Sequence, residues 1–273
     1  MSGERTRVGV YRRVVEGSIE RIWENVFDWE HLPWLHRGSF SAIELIESRT
    51  DGWRAHTRLQ GGARAEIDLV TQVPDLRYVA RNCEGAGKGT EIWTRLEELG
   101  PRRTAIEVEF WVPGVDPDAA AQVGAGYERL YARLWDEDER MIVARQRFLD
   151  ARPERARERA LKTREIDLGP AESLSARLPL LVRARGETWR VVSLDGEWVV
   201  HAATCPHLAG PLDEAMPDRE GCVTCPWHGY RFDVRSGRSA DGRRLRLRKA
   251  PRVEVAVRDG HARLQWPGPY RKL

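Results

Sequence analysis

Two close pairs of metal-binding side chains constrain the last third of this chain more than any other feature. The first pair reads Cys-x-His and the second Cys-x-x-His, with positions 208–224 between them; the four residues are Cys205, His207, Cys225 and His228. Each pair spans a tight loop, so we expect the fold to bring two loops together around one metal centre. Two cysteines and two histidines fit either a tetrahedral zinc ion or an iron–sulfur cluster.

The spacing and the flanking residues resemble the Rieske motif, in which two thiolates bind one iron and two imidazoles bind the other. The one-residue gap in Cys205-x-His207 is unusual for zinc, and the run "CPWHGYRFDVRSG" matches the Rieske pattern beyond the ligands. This resemblance implies that the two pairs hold a [2Fe-2S] cluster. Cys222 does not fit the ligand spacing, and we expect it to be a small buried residue.

The resemblance also implies which kind of Rieske centre this is. The respiratory-complex type has an extra cysteine in each loop, where this chain has Ala209 or Gly210 and Trp227. That type also places hydroxyl donors to the cluster sulfurs at positions that hold Tyr230 and Phe232 here. With fewer hydrogen bonds to sulfur, we expect a potential at the low end of roughly −150 to +300 mV. Such a centre is an electron relay rather than a quinol oxidase.

The composition favours a soluble globular chain, and its length suits one large or two ordinary domains. Of the 273 residues 41% are hydrophobic and 32% charged, and no apolar run approaches the roughly 18 residues of a membrane span. The run "MSGERTRVGVYRRVV" lacks the apolar core of a signal peptide, so we expect a cytoplasmic protein with no membrane partner. The 45 basic and 42 acidic residues are mixed along the chain, which argues against a nucleic-acid partner.

One basic run is an exception to this mixing. In Gly242–Lys249, "GRRLRLRK", the residues Arg244, Arg246 and Arg248 would share one face of a strand while the intervening leucines point inward. The pattern fits either a solvated strand face or a docking surface for an acidic electron-transfer partner.

Short alternating segments on both sides of the metal-binding loops predict a small antiparallel β domain over residues 165–273. Asp-Gly pairs at 195–196 and 259–260 break these segments as hairpin turns. Residues 153–164 alternate in charge and predict a helical or extended linker. Residues 1–152 would then form a separate domain.

The order of elements predicted for residues 1–152 is a strand, a helix, a run of strands and one long helix. This order resembles the helix-grip fold of the START and Bet v 1-like superfamily, in which a curved sheet grips a C-terminal helix around an apolar cavity. The resemblance implies an α+β chain, with a helix-grip domain followed by a small all-β domain. The helix-grip fold hosts lipid carriers, cyclases and oxygenases alike, so the function depends on the site.

The long helix has a carboxylate where its apolar stripe predicts a core residue. In steps of three or four from Leu134, the next core-facing position is Asp138. Burial of an unpaired carboxylate is costly, so Asp138 needs a cation, a hydrogen-bond network or exposure near a helix end. Asp136, Glu137 and Glu139 lie off the stripe, and we expect them to be solvated.

A second polar cluster lies in an aromatic-rich segment near the first helix. Asn25, Asp28, His31 and His36 follow the pattern N-x2-D-x2-H-x4-H. Two imidazoles from this segment and a carboxylate from a facing helix would make the 2-His-1-carboxylate triad of non-haem Fe(II) oxygenases. Helix-grip proteins without metal often have a D-x4-P-x-W segment at the same place, so a purely structural role is the alternative.

Both polar segments resemble the ligand regions of demethylase-type Rieske oxygenases. The run "EDERMIVARQ", Glu137–Gln146, is similar to the distal E-D-x-x-I-I-x-x-Q helix of that family. The resemblance implies mononuclear Fe(II) at His31, His36 and Asp138, with Asp28 hydrogen-bonded to a ligand imidazole and bridging toward a cluster histidine. It implies that O2 and electrons from an NAD(P)H-dependent reductase or a ferredoxin serve to hydroxylate or oxidatively demethylate an apolar or aromatic small molecule.

Three features depart from the usual pattern of those oxygenases. The Rieske domain comes second, the catalytic part is short, and Leu208 replaces the arginine that usually follows the first cluster histidine. The Rieske part therefore resembles a stand-alone ferredoxin fused behind a compact oxygenase domain, and the head-to-tail trimer of the family is one candidate assembly. The rival interpretation is a carrier of a hydrophobic ligand fused to a Rieske electron carrier, with no mononuclear iron.

Overall fold

The computed structural model describes residues 4–160, 164–256 and 259–266. The chain divides into two compact units, Met1–Gln146 and Arg147–Leu273. In the described part of the chain, no helix combines the length and the apolar character needed to cross a membrane.

Seven strands form one antiparallel sheet in the first unit. In chain order the strands are β1 (Arg5–Val15), β2 (Phe40–Arg49), β3 (Gly52–Leu59), β4 (Arg64–Gln72), β5 (Arg77–Gly85), β6 (Glu91–Gly100) and β7 (Arg103–Pro113). Strands β2 to β7 follow one another as antiparallel neighbours, and β1 completes the sheet by pairing with β7. The first strand of the chain therefore lies beside the strand that precedes the long helix.

Within the described residues, three α-helices complete this unit: α1 (Ile19–Phe27), the short α2 (Leu32–Leu35) and α3 (Ala120–Asp150). The hydrophobic core between the sheet and the helices includes Val15, Ile22, Phe110 and Ile142. From α3, the rings of Tyr127 and Tyr131 pack on Phe110 with centroids 5.2 and 4.9 Å away. A sheet that packs against a long C-terminal helix confirms the predicted helix-grip, α+β fold.

Helix α3 approaches strand β1 at a pair of glycines. A Cβ atom on Gly124 would lie 2.0 Å from the carbonyl oxygen of Val8, well inside van der Waals contact. A Cβ atom on Gly9 of the strand would lie 3.2 Å from Cα of Gly124. Backbone therefore meets backbone here, and this contact determines how closely α3 packs on the sheet.

The second unit is built mainly of short antiparallel strands. Its elements are α4 (Arg152–Ala160), β8 (Glu165–Pro170), α5 (Ala171–Arg177), β9 (Leu180–Ala184), β10 (Glu187–Leu194), β11 (Glu197–Ala202), β12 (Cys222–Thr224), β13 (Arg231–Asp233), β14 (Arg252–Val255) and β15 (His261–Gln265). In the described residues they form sheets ordered β11-β10-β9, β12-β13 and β14-β15-β8. The turn at Asp195-Gly196, with φ of 53° and 78°, joins β10 to β11 as an Asp-Gly hairpin. The predicted small antiparallel β region is confirmed.

Much of the segment predicted as a linker, 153–164, is helix α4, and residues 161–163 lie outside the described part of the chain. Within the second unit, this helix contacts strands β9 and β10 through ion pairs. Arg159 pairs with Glu187 of β10 at 2.9 Å, and Glu158 pairs with Arg183 of β9 at 2.9 Å. The helical alternative for the segment therefore applies. The predicted domain ends at 152 and 165 stay predictions.

The basic run Gly242–Lys249 is not a regular strand. Its alternation nevertheless persists, because Leu247 is buried while Arg244, Arg246 and Arg248 are exposed. The predicted separation of arginines and leucines is therefore seen at Leu247, whereas Leu245 is half-buried.

We expect Gly124→Ala to destabilise the first unit, although alanine is the better helix former. The added methyl group has to push α3 away from β1, and overpacking of this kind costs about 1–3 kcal/mol. Gly126→Ala is the matched control on the same helix, because nothing lies within 4 Å of its Cβ position. The control should gain up to about 1 kcal/mol from helix propensity. Urea denaturation measures both, and equal stabilities would contradict the close approach at Gly124.

Candidate metal centres

Both Cys-His pairs lie on loops that the backbone closes in the same way. The first loop follows β11, and the amide of Cys205 donates to the carbonyl of Gly210 at 2.8 Å. The second follows β12, and the amide of Cys225 donates to the carbonyl of Tyr230 at 2.9 Å. Each cysteine therefore begins a loop that returns to it five residues later, and the histidine of the pair lies within that loop.

The two loops bring all four predicted side chains together. The rings of His207 and His228 lie 4.5 Å apart between centroids and are nearly perpendicular, at 86°. The thiols of Cys205 and Cys225 are buried and share a hydrogen bond. Cys225 forms a second hydrogen bond with His228. Two sulfurs and two imidazoles thus form one cluster of donors.

The two buried thiols differ in their affinity for a proton. The hydrogen bond between them, together with burial, raises the pKa of Cys205 well above its ordinary value. The same hydrogen bond and a second one with His228 lower the pKa of Cys225 to about 5. One thiolate, the form of cysteine that binds metals, is therefore favoured before any metal arrives.

The first loop makes its closest approach to the second at Gly210. A Cβ atom there would lie 2.6 Å from Sγ of Cys225 and 3.2 Å from ring atoms of Trp227. Trp227 is buried, and so is Tyr230, whose ring centroid lies 4.8 Å from that of His207. Only glycine fits at position 210 without displacing a sulfur or a buried ring.

The second centre lies where the ends of α1 and α2 meet α3. Asp28 ends α1, and the one-turn helix α2 has His31 before its first residue and His36 after its last. Pro33 in the first turn of α2 suits a helix start, because its missing amide hydrogen is not needed there. Both histidines and Asp138 of α3 are buried, with 4%, 2% and 8% of their surfaces exposed.

These three buried side chains converge on one point. The Nε2 atoms of His31 and His36 lie 3.5 and 3.1 Å from Oδ1 of Asp138. One ligand atom from each of the three residues lies within 4.8 Å of the other two. Two imidazole nitrogens and one carboxylate oxygen are the donor set of a mononuclear Fe(II) site, so these residues could hold that ion. The burial of Asp138 agrees with the apolar stripe of α3.

Carboxylates also face the far side of both imidazoles. Nδ1 of His36 lies 2.7 Å from Oε2 of Glu137, and Nδ1 of His31 lies 3.7 Å from Oδ2 of Asp28. Glu137 is thus half-buried, with 28% of its side chain exposed, rather than fully solvated as the sequence predicts. Adjacent helix residues point about 100° apart, so Glu137 lies beside the buried stripe and still reaches the end of α2.

Further polar residues complete the surroundings of this centre. Asn25, itself buried, donates from Nδ2 to Oδ1 of Asp138 at 2.9 Å. Glu139 was also expected to be solvated, but it forms an ion pair with Arg13 of β1 and 19% of its side chain is exposed. Asp136 contacts the same arginine and stays exposed, as predicted. Arg13 therefore ties the acidic part of α3 to the sheet.

Opposite charges stabilise each other within the centre. Burial opposes the charged forms, but the carboxylate of Asp138 raises the pKa of His36 overall, and His36 lowers the pKa of Asp138. A metal ion bound here would therefore replace a proton. Burial raises the pKa of Tyr78 and Tyr131 far above the ordinary value, and the negative charge of Asp138 adds to both shifts. Both phenols therefore stay protonated at neutral pH.

A third group of donors in the second unit forms an ion-pair cluster. Ligand atoms of Asp218, Glu220 and Cys222 lie within 4.8 Å of one another. Both carboxylates pair with Arg231, at 2.6 and 2.7 Å, which satisfies their charge. Cys222 is buried, as expected for a residue outside the ligand spacing.

Residues 164–251 match the family model described as the Rieske [2Fe-2S] domain. The second unit thus contains a Rieske domain, and a Rieske domain implies a [2Fe-2S] cluster. Among curated proteins, the chloroplastic pheophorbide a oxygenase of Oryza sativa subsp. japonica is 47% identical over 38 residues. That stretch spans 14% of this chain and 7% of the rice enzyme.

Solved structures similar to this chain include proteins of the same size as its first unit. A START superfamily protein from Mycobacterium smegmatis is 18% identical with a TM-score of 0.41, and the match covers 51% of this chain and 97% of that one. Norcoclaurine synthase from Thalictrum flavum, in complex with dopamine and hydroxybenzaldehyde, is 17% identical with a TM-score of 0.39; the match covers 49% of this chain and 84% of that one. The fold assignment of the first unit rests on its own strand order and helix packing.

We expect Gly210→Ala to lower the [2Fe-2S] content of the purified protein. The added methyl group would press on Sγ of Cys225, and the Trp227 ring blocks the alternative direction, so the two loops have to separate. Visible absorption together with iron and sulfide content measures the loss. Cys222→Ser, which changes a buried sulfur outside the ligand spacing, serves as the control and should retain a full cluster. A full cluster in both variants would contradict the tight fit at Gly210.

Proposed function

We propose that this chain is a Rieske-type non-haem iron oxygenase. The observation that carries the proposal is the convergence of His31, His36 and Asp138 in a chain that also contains a Rieske domain. An iron–sulfur relay needs an acceptor for its electrons, and a buried centre of two histidines and one carboxylate has the donor set of an O2-activating iron.

In this proposal Cys205, His207, Cys225 and His228 hold the [2Fe-2S] cluster, which supplies electrons one at a time. Burial of both thiols shields the cluster, and the favoured thiolate lowers the proton release that assembly requires. The buried side chain of Phe232 has no hydroxyl to give to a cluster sulfur, which supports a potential at the low end of the Rieske range.

His31, His36 and Asp138 would hold Fe(II) through two imidazole nitrogens and one carboxylate oxygen. The bound iron supplies O2 activation. Hydroxylation places one oxygen atom in the substrate and releases the other as water, with two electrons and two protons consumed. Oxidative demethylation hydroxylates a methyl group in the same way, and that carbon then leaves as formaldehyde.

The surrounding residues orient the three ligands. Glu137 would accept a hydrogen bond from Nδ1 of His36, so that Nε2, which faces Asp138, is the nitrogen available to the metal ion. Asn25 donates to Asp138 and limits rotation of its carboxylate. Asp28 lies 3.7 Å from Nδ1 of His31, which suits the bridging role that the family resemblance implies for it.

The substrate would be an apolar or aromatic small molecule held between the sheet and α3. Aromatic side chains between the sheet and the helices support this class: the ring centroids of Trp23 and Tyr78 lie 6.2 Å apart, and those of Phe110 and Tyr131 lie 4.9 Å apart. An NAD(P)H-dependent reductase or a ferredoxin would supply the electrons, and a homo-oligomer, by resemblance a trimer, is one candidate assembly.

We expect Asp138→Ala to lower the iron content from three to two atoms per chain and to abolish oxygenation, while the cluster spectrum is unchanged. Two neutral imidazoles hold Fe(II) weakly, and the carboxylate provides the third bond and the only negative ligand. Iron analysis after anaerobic reconstitution with excess Fe(II) measures the difference. Asp136→Ala is the matched control, because that exposed acid lies on the same helix and away from the centre.

The same measurement separates the oxygenase from the ligand carrier. Wild-type protein that never exceeds two irons per chain under excess Fe(II) would refute the mononuclear site. The chain would then be a hydrophobic-ligand carrier fused to a Rieske electron carrier, which needs only the cluster iron.

We expect Glu137→Gln to weaken metal binding at the mononuclear site about 10–100-fold, because loss of a carboxylate behind a ligand imidazole typically has that effect. Glu137→Ala, which also removes the hydrogen-bond acceptor, should weaken it further. Anaerobic titration with Co(II), followed by its visible spectrum, gives the affinity without relying on activity. Asp136→Asn should bind Co(II) like the wild type, and an unchanged affinity in both Glu137 variants would show that the contact with His36 is incidental.

A further inference from the structure

A strongly basic hairpin lies beside the Cys-His loops of the second unit. The amide of Leu247 donates to the carbonyl of Gly237 at 2.8 Å, and the amide of Ser239 donates to the carbonyl of Leu245 at 3.2 Å. Residues 237–249 are termed the arginine hairpin below. Its exposed cations are Arg238, Arg243, Arg244, Arg246, Arg248 and Lys249. The same residues include one acid, Asp241.

Among the residues that the structure describes, several of these cations have no carboxylate partner. Arg248 is an exception, because it pairs with the buried Glu187 at 2.8 Å. No carboxylate in the described part of the chain pairs with Arg238, Arg244 or Arg246. Arg238 and Arg246 are moreover direct partners across the hairpin. Like charges at directly opposed positions are destabilising, so the hairpin's own stability does not account for this arrangement.

The tip of the arginine hairpin lies next to the histidine edge of the cluster site. The guanidinium carbon of Arg243 is 3.8 Å from the centre of the Tyr230 ring. That ring in turn packs on His207 and His228, with centroids 4.8 and 5.5 Å away. The tip of this basic hairpin therefore lies beside the two histidines through which an electron would enter the cluster.

We propose that the arginine hairpin is the docking surface for an electron-donor protein with an acidic face. Carboxylates of the donor would neutralise the opposed pair Arg238 and Arg246, for which the described residues provide no acidic partner. Attraction between opposite charges would also speed the encounter and direct the donor toward His207 and His228. This inference rests on the [2Fe-2S] half of the proposed function and not on the mononuclear iron.

The test uses the full chain with its cluster and two kinds of probe. An acidic plant-type [2Fe-2S] ferredoxin, whose potential of about −400 mV lies below that of a Rieske centre, serves as the protein donor. The small probes are two oxidants of the reduced cluster, anionic hexacyanoferrate(III) and cationic tris(phenanthroline)cobalt(III). Stopped-flow absorption records the rates for each probe at several ionic strengths.

The variant is Arg244→Glu/Arg246→Glu, and the matched control is Arg58→Glu/Arg64→Glu. Arg58 and Arg64 are exposed cross-strand partners in the first unit, so the control makes the same change in net charge. The visible spectrum and the potential of the cluster are recorded for both, so that loss of the cluster is not mistaken for loss of docking.

We expect the Arg244/Arg246 variant to react about tenfold more slowly with the ferredoxin and with hexacyanoferrate at ~20 mM ionic strength, and faster with the cobalt complex. The difference should vanish near ~0.5 M salt, where surface charges are screened. Rates that match those of the control double variant for all three probes would overturn the docking surface. An iron content of three in that case would leave the oxygenase proposal intact, whereas docking with only two irons would refute the oxygenase alone.

Discussion

The first unit depends on one buried negative charge, the carboxylate of Asp138. Burial of such a charge without partners costs several kcal/mol, so α3 is stable only if other elements supply protons or a cation at that point. His31, His36 and Asn25 do so, and they come from α1 and α2, the connection between β1 and β2. The requirement to satisfy one carboxylate therefore determines where that connection has to lie.

The two centres preorganise their ligands by different means. Charge holds the first: each imidazole lies between Asp138 and a second carboxylate, so rotation of either ring would break contacts on both sides. Backbone hydrogen bonds and steric fit hold the Cys-His centre. Cys205 and Cys225 begin loops that are closed by matching hydrogen bonds, and the first loop packs against the second at Gly210. The first arrangement should respond to the loss of single charges, and the second to the addition of single carbon atoms.

How much the sequence could predict follows from the range of each signal. Local periodicity was sufficient for the order of strands and helices and for the burial of Asp138, because the apolar stripe of α3 specifies its own inward face. The helix-grip assignment came from the resemblance of that order to a known superfamily. Periodicity could not predict the contact between Glu137 and His36, which depends on where α2 crosses α3. The E-D-x-x-I-I-x-x-Q pattern, which begins at Glu137, indicated that this residue belongs to the ligand region. Only the tertiary structure shows that its partner is His36. The packing of α4 could not be predicted either, because an alternation of charges does not show which residues elsewhere in the chain pair with those charges.

Helix α2 has a consequence for which kinds of sequence change this chain can tolerate. It is one turn long, and His31 and His36 lie at its two ends. One added or removed residue would turn the second histidine by about 100° around the helix and away from its counterpart. Leu32–Leu35 can therefore vary in identity much more freely than in number. The number of residues between the two histidines fixes their relative orientation, so insertions and deletions in this segment should be far rarer than substitutions.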